Sequence, residues 1–244
     1  MEPENKEARS TFSRTRMLLG DSGMHRLAQA RVAVFGVGGV GSYAVEALAR
    51  SGVGSLVLVD PDVVTESNIN RQLVASHRTM GRTKVEVAKE RVLDVNPDAQ
   101  VEVYPVFFRA DTAEQFDFSS YSYVIDAIDS ISSKLLLIER ATQAGVPIIS
   151  SMSAGNKLDP TRFQVADLSE TSVCPMARIL RRELRKRGIF HVKVVYSQEH
   201  SRIPEAGDAP APGKHTTPGS VAFVPSVAGL IAAGETIRDL SGVR

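Results

Sequence analysis

The sequence predicts an α/β fold, a doubly wound and mostly parallel sheet with helices on both faces, followed by a C-terminal extension of mixed strand and helix. Three observations carry this. Short runs rich in valine and isoleucine, "RVAVFG", "SLVLVD", "QVEVYPVF", "YSYVIDAID" and "VPIISS", recur along the first 155 residues, each too short for a helix and apolar enough for burial on both faces. Segments with apolar residues at helical spacing alternate with them, which favours right-handed crossovers between parallel strands. A glycine turn, "GVGGVG" at Gly36 to Gly41, sits where the first strand gives way to a helix.

In chain order, a short helical pattern from Met24 to Gln29 leads into the strand "RVAVFG". The helix "SYAVEALARSG" follows with Val45, Leu48 and Ala49 on one face, and "SLVLVD" is the second strand. After an irregular stretch from Pro61 to Met80, "TKVEVAKERVLDVNPD" places Val85, Ala88, Val92 and Val95 at helical spacing and stops before Pro97. "QVEVYPVF" and "YSYVIDAID" are the third and fourth strands, "SSKLLLIERATQAG" a helix and "VPIISS" a strand. The character changes after residue 155. "ARILRRELRKRGI" reads as a basic helix and "HVKVVYS" as a strand; residues 199 to 219 are dense in proline and glycine and read as a flexible loop. "SVAGLIAAGETIRDL" closes the chain as a helix of small residues, suited to close packing on the sheet or on a second subunit. The organisation expected is one ATP-binding unit over 1–244, with an N-terminal helical arm (1–30), a Rossmann-like nucleotide-binding core (31–155) and a C-terminal substrate and dimer region (156–244).

Composition narrows the partners. Lysine plus arginine number 29 against 28 acidic residues, so no global field marks a nucleic-acid or membrane protein and any such partner needs a local patch. A single cysteine, Cys174, excludes an internal disulfide and a four-cysteine zinc site, so no zinc is expected. The N-terminus lacks an apolar signal region, and no run approaches the roughly 18 apolar residues of a membrane helix. The reading is a cytoplasmic protein with no membrane partner.

The glycine turn holds a nucleotide. Residues without a β-carbon let backbone approach a phosphate at the positive end of a helix, and Gly36, Gly38 and Gly41 form G-x-G-x-x-G with Gly39 as an extra glycine. Asp60 ends the next strand, where a carboxylate grips ribose hydroxyls. That template alone admits a nicotinamide dinucleotide or ATP. The next segment, "DPDVVTESNINRQ", favours ATP, because Asp60, Asp62, Asn68, Asn70, Arg71 and Gln72 crowd a short stretch and a triphosphate needs cations and amides around it. Lys84 opens a helix although a cation there opposes the helix dipole by some tenths of a kcal/mol, roughly, so an anion is expected beside it. Asp126 and Asp129 end the fourth strand at the same cleft. Either suits a magnesium ion, Asp129 first and Asp126 as the alternative, while a carboxylate there can also cap the helix after Ser130.

In this order, G-x-G-G-x-G, D-x-D, N-x-x-R-Q, a lysine opening a helix and D-x-x-D resemble the ubiquitin-activating-enzyme-like adenylating superfamily, whose bacterial members serve molybdopterin and thiamine synthesis. The resemblance covers roughly residues 9 to 155. It implies Gly39 and Gly41 along the phosphates, Asp60 on the ribose, Asn68, Arg71 and Lys84 on the triphosphate and Asp129 on Mg2+. It also implies a homodimer in which an arginine of "FSRTRML" reaches the partner's nucleotide, Arg14 first and Arg16 as the fallback. Within the superfamily, "YSYVIDAIDS", "LDPTRFQVADLSET" and "GSVAFVPSVAGLIAAGETI" are similar to the tRNA threonylcarbamoyladenosine dehydratases. That branch implies adenylation of a threonyl carboxylate in tRNA and its cyclisation, with release of AMP and pyrophosphate. The alternatives are an adenylyltransferase for the C-terminal carboxylate of a small ubiquitin-like sulfur-carrier protein and a non-catalytic nucleotide-binding subunit. Arg178, Arg181, Arg182, Arg185, Lys186 and Arg187, set against Glu183 in the helix 177–188, are the candidate tRNA contact. Cys174 precedes Pro175 at a helix start, where a thiolate is favoured, but the cyclisation needs no thioester and no catalytic role is assigned to it.

Overall fold

The computed structural model describes residues 11–203 and 218–243. Seven strands form one sheet in the order β3-β2-β1-β4-β5-β7-β6: β1 (Arg31–Phe35), β2 (Ser55–Val59), β3 (Gln100–Tyr104), β4 (Tyr123–Asp126), β5 (Ile148–Ser151), β6 (Phe163–Asp167) and β7 (Lys193–Ser197). Every pairing is parallel except β6 with β7. The helices are α1 (Ser13–Gln29), α2 (Gly41–Arg50), α3 (Lys84–Val95), α4 (Ile131–Gln143), α5 (Pro175–Arg185) and α6 (Phe223–Ser241).

Strand alternation distributes the core. Val32, Val34, Leu56 and Leu58 face one layer, with Leu48 of α2, Val85 and Val92 of α3 and Ala228 and Ala232 of α6. Their neighbours Ala33, Phe35, Val57 and Val59 face the other, with Leu137 and Ala141 of α4 and the aromatic cluster Phe108, Phe116 and Phe118. Both faces of the central strands are dry, which is why those runs carry no polar alternation. Residues after 155 stay in the same sheet, since β7 pairs with β5 and α5 buries Leu180 and Leu184 beside Ile138 of α4.

The sequence pattern and the structure part at four places. α1 begins at Ser13 and is kinked at Gly20 (φ 68°, ψ 171°). Its first half carries no buried apolar stripe, because Met17 and Leu18 are 83% and 81% exposed, so periodicity did not reveal it. β6 escaped the strand pattern because it is an antiparallel edge with only Phe163 buried. α5 starts at Pro175, where the missing amide costs nothing, and α6 starts at Phe223. The loop expected over 199–219 falls largely on residues 204–217, outside the described residues.

Two glycines bring backbone against backbone where the sheet order reverses. A β-carbon on Gly41 would lie 1.7 Å from the Gly36 carbonyl oxygen, and one on Gly229 of α6 would lie 2.1 Å from the Val40 carbonyl oxygen. The small residues of α6 therefore seat it on the start of α2, behind the glycine turn. Gly229→Ala is expected to push the two helices apart and to cost about 1–3 kcal/mol of stability, as overpacking does, measured by urea unfolding.

Candidate active site

At the carboxyl ends of β1, β2, β4 and β5 the chain opens into a cavity of about 530 Å³. It lies at the point where strand order reverses, between β1 and β4, the place where open α/β sheets receive ligands. Gly36, Gly38 and Gly39 line it. Gly36 has φ 92°, and a β-carbon there would meet the Ala127 carbonyl at 2.6 Å, so this position is reserved for glycine by backbone shape and by space. Gly41 departs from expectation. It is buried against Gly36 and closes the turn instead of lining the cavity.

One wall is acidic and basic at once. The Asp60 carboxylate accepts from the Val37 N–H at 2.6 Å and the Asp62 N–H at 2.9 Å. Lys84 Nζ donates to Asp62 at 2.7 Å and lies 4.0 Å from Asp60, while the Lys84 amide donates to the Asp62 carbonyl at 3.0 Å. The lysine at the start of α3 thus finds its anions in the segment after β2, and it is buried, facing the cavity. Arg71 also lines the cavity, held by the Ser67 carbonyl at 2.7 Å and Asn70 Oδ1 at 2.9 Å. Asn68 is buried at the cavity wall, and its side chain caps the short turn Glu66–Asn68 through the Thr65 N–H.

Gln72 is buried at the cavity, and among the described residues its Oε1 has no partner. An orphaned buried acceptor beside the glycine turn is costly unless a ligand or water meets it. Asn70 does not line the cavity: it is exposed, braces Arg71 and donates to the Ser220 carbonyl at 2.9 Å, tying the start of the last segment to the site.

The two aspartates after β4 separate sharply. Asp129 is exposed, lines the cavity and makes no side-chain hydrogen bond or ion pair among the described residues. Asp126 is fully buried, absent from the cavity wall and paired with Lys134 at 2.9 Å, so it is not available as a nucleotide or metal contact. Lys134 and Ser150, its partners, were not singled out from sequence. The signal was present for Lys134, a lysine near a helix start flanked by Leu135, Leu137 and Ile138, the same anomaly that drew attention to Lys84.

Arg14 is exposed on α1 and lies outside the cavity of its own chain. Arg16 pairs with Asp21 at 3.5 Å beside Gly54 and Gln100, at the amino ends of β2 and β3 and away from the cavity. Within one chain neither arginine meets the nucleotide position. Cys174 is buried against the α5 core, which fits a packing role. In the basic helix, Arg181 is turned inward and donates to the Leu168 and Thr171 carbonyls and the Thr171 hydroxyl, so it drops out of the candidate tRNA face. Arg178, Arg182, Arg185, Lys186 and Arg187 are exposed, and the helix begins beside the cavity, where Met176 lines it.

Comparison with known proteins places the chain in a family. A family model described as the ThiF family matches residues 12–244. The chain is 46% identical over 238 residues to the tRNA threonylcarbamoyladenosine dehydratase of Bacillus subtilis, covering 94% of each. It is 37% identical over 219 residues to the enzyme so named in Escherichia coli, covering 86% of this chain and 82% of that one. In three dimensions it is similar to the E. coli tRNA N6-threonylcarbamoyladenosine dehydratase in complex with ATP, with a TM-score of 0.87, 34% identity, and coverage of 98% of this chain and 96% of that one.

Burial gives Asp60 a pH signature. Desolvation pushes its carboxyl above the usual aspartate range, opposed by Lys84 and by the two amides. An acid with a raised folded pKa binds its proton more tightly in the folded state, so its contribution to stability falls as pH rises from the ordinary aspartate value through the raised one. Asp60→Asn removes that fall. Urea melts at stepped pH are expected to show the variant gaining on the parent as pH rises through this window, and a gain by the parent would reverse the assignment.

Proposed function

The chain belongs to the ThiF family, and from that premise we propose that it is an ATP-dependent tRNA threonylcarbamoyladenosine dehydratase. The observation that carries the reading is one cavity lined together by the glycine turn, Asp60, Arg71, Lys84 and Asp129. A carboxylate is a poor acyl donor. One oxygen of the threonyl carboxylate attacks the α-phosphorus of ATP, pyrophosphate leaves, and an acyl adenylate forms. A heteroatom of the carbamoyl group on the same side chain then attacks the activated carbonyl, loses its proton, and expels AMP as the ring closes. The net change in the nucleoside is loss of water. Effective molarities of oriented internal reactions reach about 10⁵ M or more, so no enzyme nucleophile is needed and a buried Cys174 is no obstacle.

The protein's task is charge and position. In this reading the Asp60 carboxylate holds the ribose, and the glycine turn and the start of α2 receive the phosphates. Arg71 and Lys84 offset charge on the α-phosphate and the leaving pyrophosphate, each already braced by its neighbours. Asp129 fits a magnesium ion in its donor chemistry, an exposed and uncommitted carboxylate oxygen in the cavity. Among the described residues no three His, Cys, Asp or Glu side chains cluster as a metal cage, so nucleotide oxygens and water would complete the shell. When bound, magnesium supplies charge neutralisation on the phosphates.

A homodimer accounts for two further features. Among the described residues Arg14 makes no ion pair and lines no part of the cavity, and the exposed Met17 and Leu18 beside it form an apolar face on α1, the helix that packs on α6. A partner covering that face brings Arg14 to a nucleotide in trans. The tRNA is received on the exposed side of α5, where Arg178, Arg182 and Arg185 lead away from Met176 at the cavity. Among the described residues no helix is long and apolar enough to cross a membrane.

Incubation with threonylcarbamoyl-modified tRNA, ATP and magnesium is expected to yield one AMP and one pyrophosphate per cyclised nucleoside, read by nucleoside mass analysis. No AMP with tRNA, but turnover with a carrier protein ending in a glycine carboxylate, would move the assignment to the sulfur-carrier branch. Arg71→Ala and Lys84→Ala are each expected to lower kcat/KM by about 10²–10³ with unchanged circular dichroism. Reversing Arg178, Arg182 and Arg185 to glutamate is expected to raise KM for tRNA about tenfold or more and to flatten its salt dependence, while KM for ATP stays put.

A further inference from the structure

Beneath the cavity lies a buried polar group that the reaction itself does not use. Lys134 of α4 is 0% exposed, and its Nζ donates to Asp126 Oδ2 at 2.9 Å and to Ser150 Oγ at 3.4 Å. Ser150 Oγ donates to the same carboxylate oxygen at 2.5 Å. The other oxygen, Asp126 Oδ1, accepts the Ile128 N–H at 3.1 Å. One ammonium therefore joins the first turn of α4, the end of β4 and the end of β5.

None of these polar side chains lines the cavity, yet the residues they hold do. Ala127, Ile128, Asp129 and Ser130 follow Asp126 along the cavity wall, and Ser151 follows Ser150. The Asp126 carboxylate clamps the turn two residues on by its Ile128 amide bond, while the Ala127 amide is fixed to the Phe35 carbonyl at 2.8 Å. The Asp129 side chain has no partner of its own among the described residues, so the backbone turn, which sets the position and direction of its Cα–Cβ bond, is what limits where its carboxylate can reach. A buried ion pair is a weak source of stability, since an apolar pair of similar volume often serves the fold as well. An apolar pair cannot accept the Ile128 N–H.

We propose that Lys134 is a positioning residue for the magnesium-nucleotide site: by orienting Asp126 it fixes the turn 127–130 in the shape that presents Asp129 to the metal. This rests on the reading of Asp129 as the magnesium-holding carboxylate. Supporting shells of this kind change metal affinity without touching the metal.

The test is calorimetric titration of the full chain with ATP, with and without magnesium, for the parent, Lys134→Met, Ser150→Ala and Asp129→Asn. The readout is the ratio by which magnesium strengthens ATP binding. Asp129→Asn is expected to abolish the gain. Lys134→Met is expected to reduce the ratio about tenfold while leaving affinity for ATP alone unchanged. Ser150→Ala, which keeps both charges and so retains the fold, is expected to reduce it less. An unchanged ratio in Lys134→Met, or an equal loss of affinity with and without magnesium, overturns the proposal and leaves Asp129 in its role. If Lys134→Met does not fold, an unchanged ratio in Ser150→Ala overturns it. An unchanged ratio in Asp129→Asn removes the metal reading and the proposal with it.

Discussion

The architecture depends on three backbone contacts that admit no β-carbon. Gly36 lies against the Ala127 carbonyl, Gly41 against the Gly36 carbonyl, and Gly229 against the Val40 carbonyl. They stack the turn after β4, the glycine turn, the start of α2 and the middle of α6 in one line. At most places in a protein a side chain separates such elements by a few ångströms. Here the separation is absent, so the end of β1 is held between the turn after β4 and the paired helices α2 and α6, and the cavity opens beside it. The small residues of the last helix serve the same contact. They let the C-terminal helix brace a cavity lined largely by residues from the first 155 positions.

Around that rigid turn the charges follow a common pattern. Each side chain given a role in the proposed reaction is held by a neighbour: Arg71 by Asn70 and the Ser67 carbonyl, Lys84 by Asp62, the Asp129 turn by Asp126 and Lys134. Bracing matters because charge stabilisation of a transition state is strong only where the donors need no rearrangement as charge develops. The cost is visible in Asp60, whose burial raises its carboxyl above the ordinary range. Two amides and a nearby lysine offset that penalty, and under the proposed function the carboxylate is kept there for a ligand's hydroxyls.

Much of the central sheet was legible because both faces of its strands are buried and its helices carry wide apolar stripes. β6 was not legible, since an edge strand with one buried residue has no pattern to read. The same is true of the first half of α1, whose apolar residues face solvent in this chain. At the site, Gly36, Gly38, Gly39, Asp60, Asn68, Arg71, Gln72, Lys84 and Asp129 stand on the cavity as the motif order implied. Gly41, Asn70, Asp126 and Arg181 stand behind it or point elsewhere, because spacing along a strand or helix reports which end of an element a residue occupies and not which way its side chain turns. Arg181 shows this most plainly: its neighbours at positions 178, 182 and 185 face solvent, while it closes the turn at Leu168 to Thr171.

Under the proposed function everything else rests on one step, the attack of a carboxylate oxygen on the innermost phosphorus of ATP in this cavity. Its most direct test uses modified tRNA whose threonyl carboxylate carries heavy oxygen, with the released nucleotide analysed by mass. One labelled oxygen is expected in AMP for each ring closed, with the other retained in the cyclised nucleoside. Unlabelled AMP, or release of ADP and phosphate in its place, would contradict it.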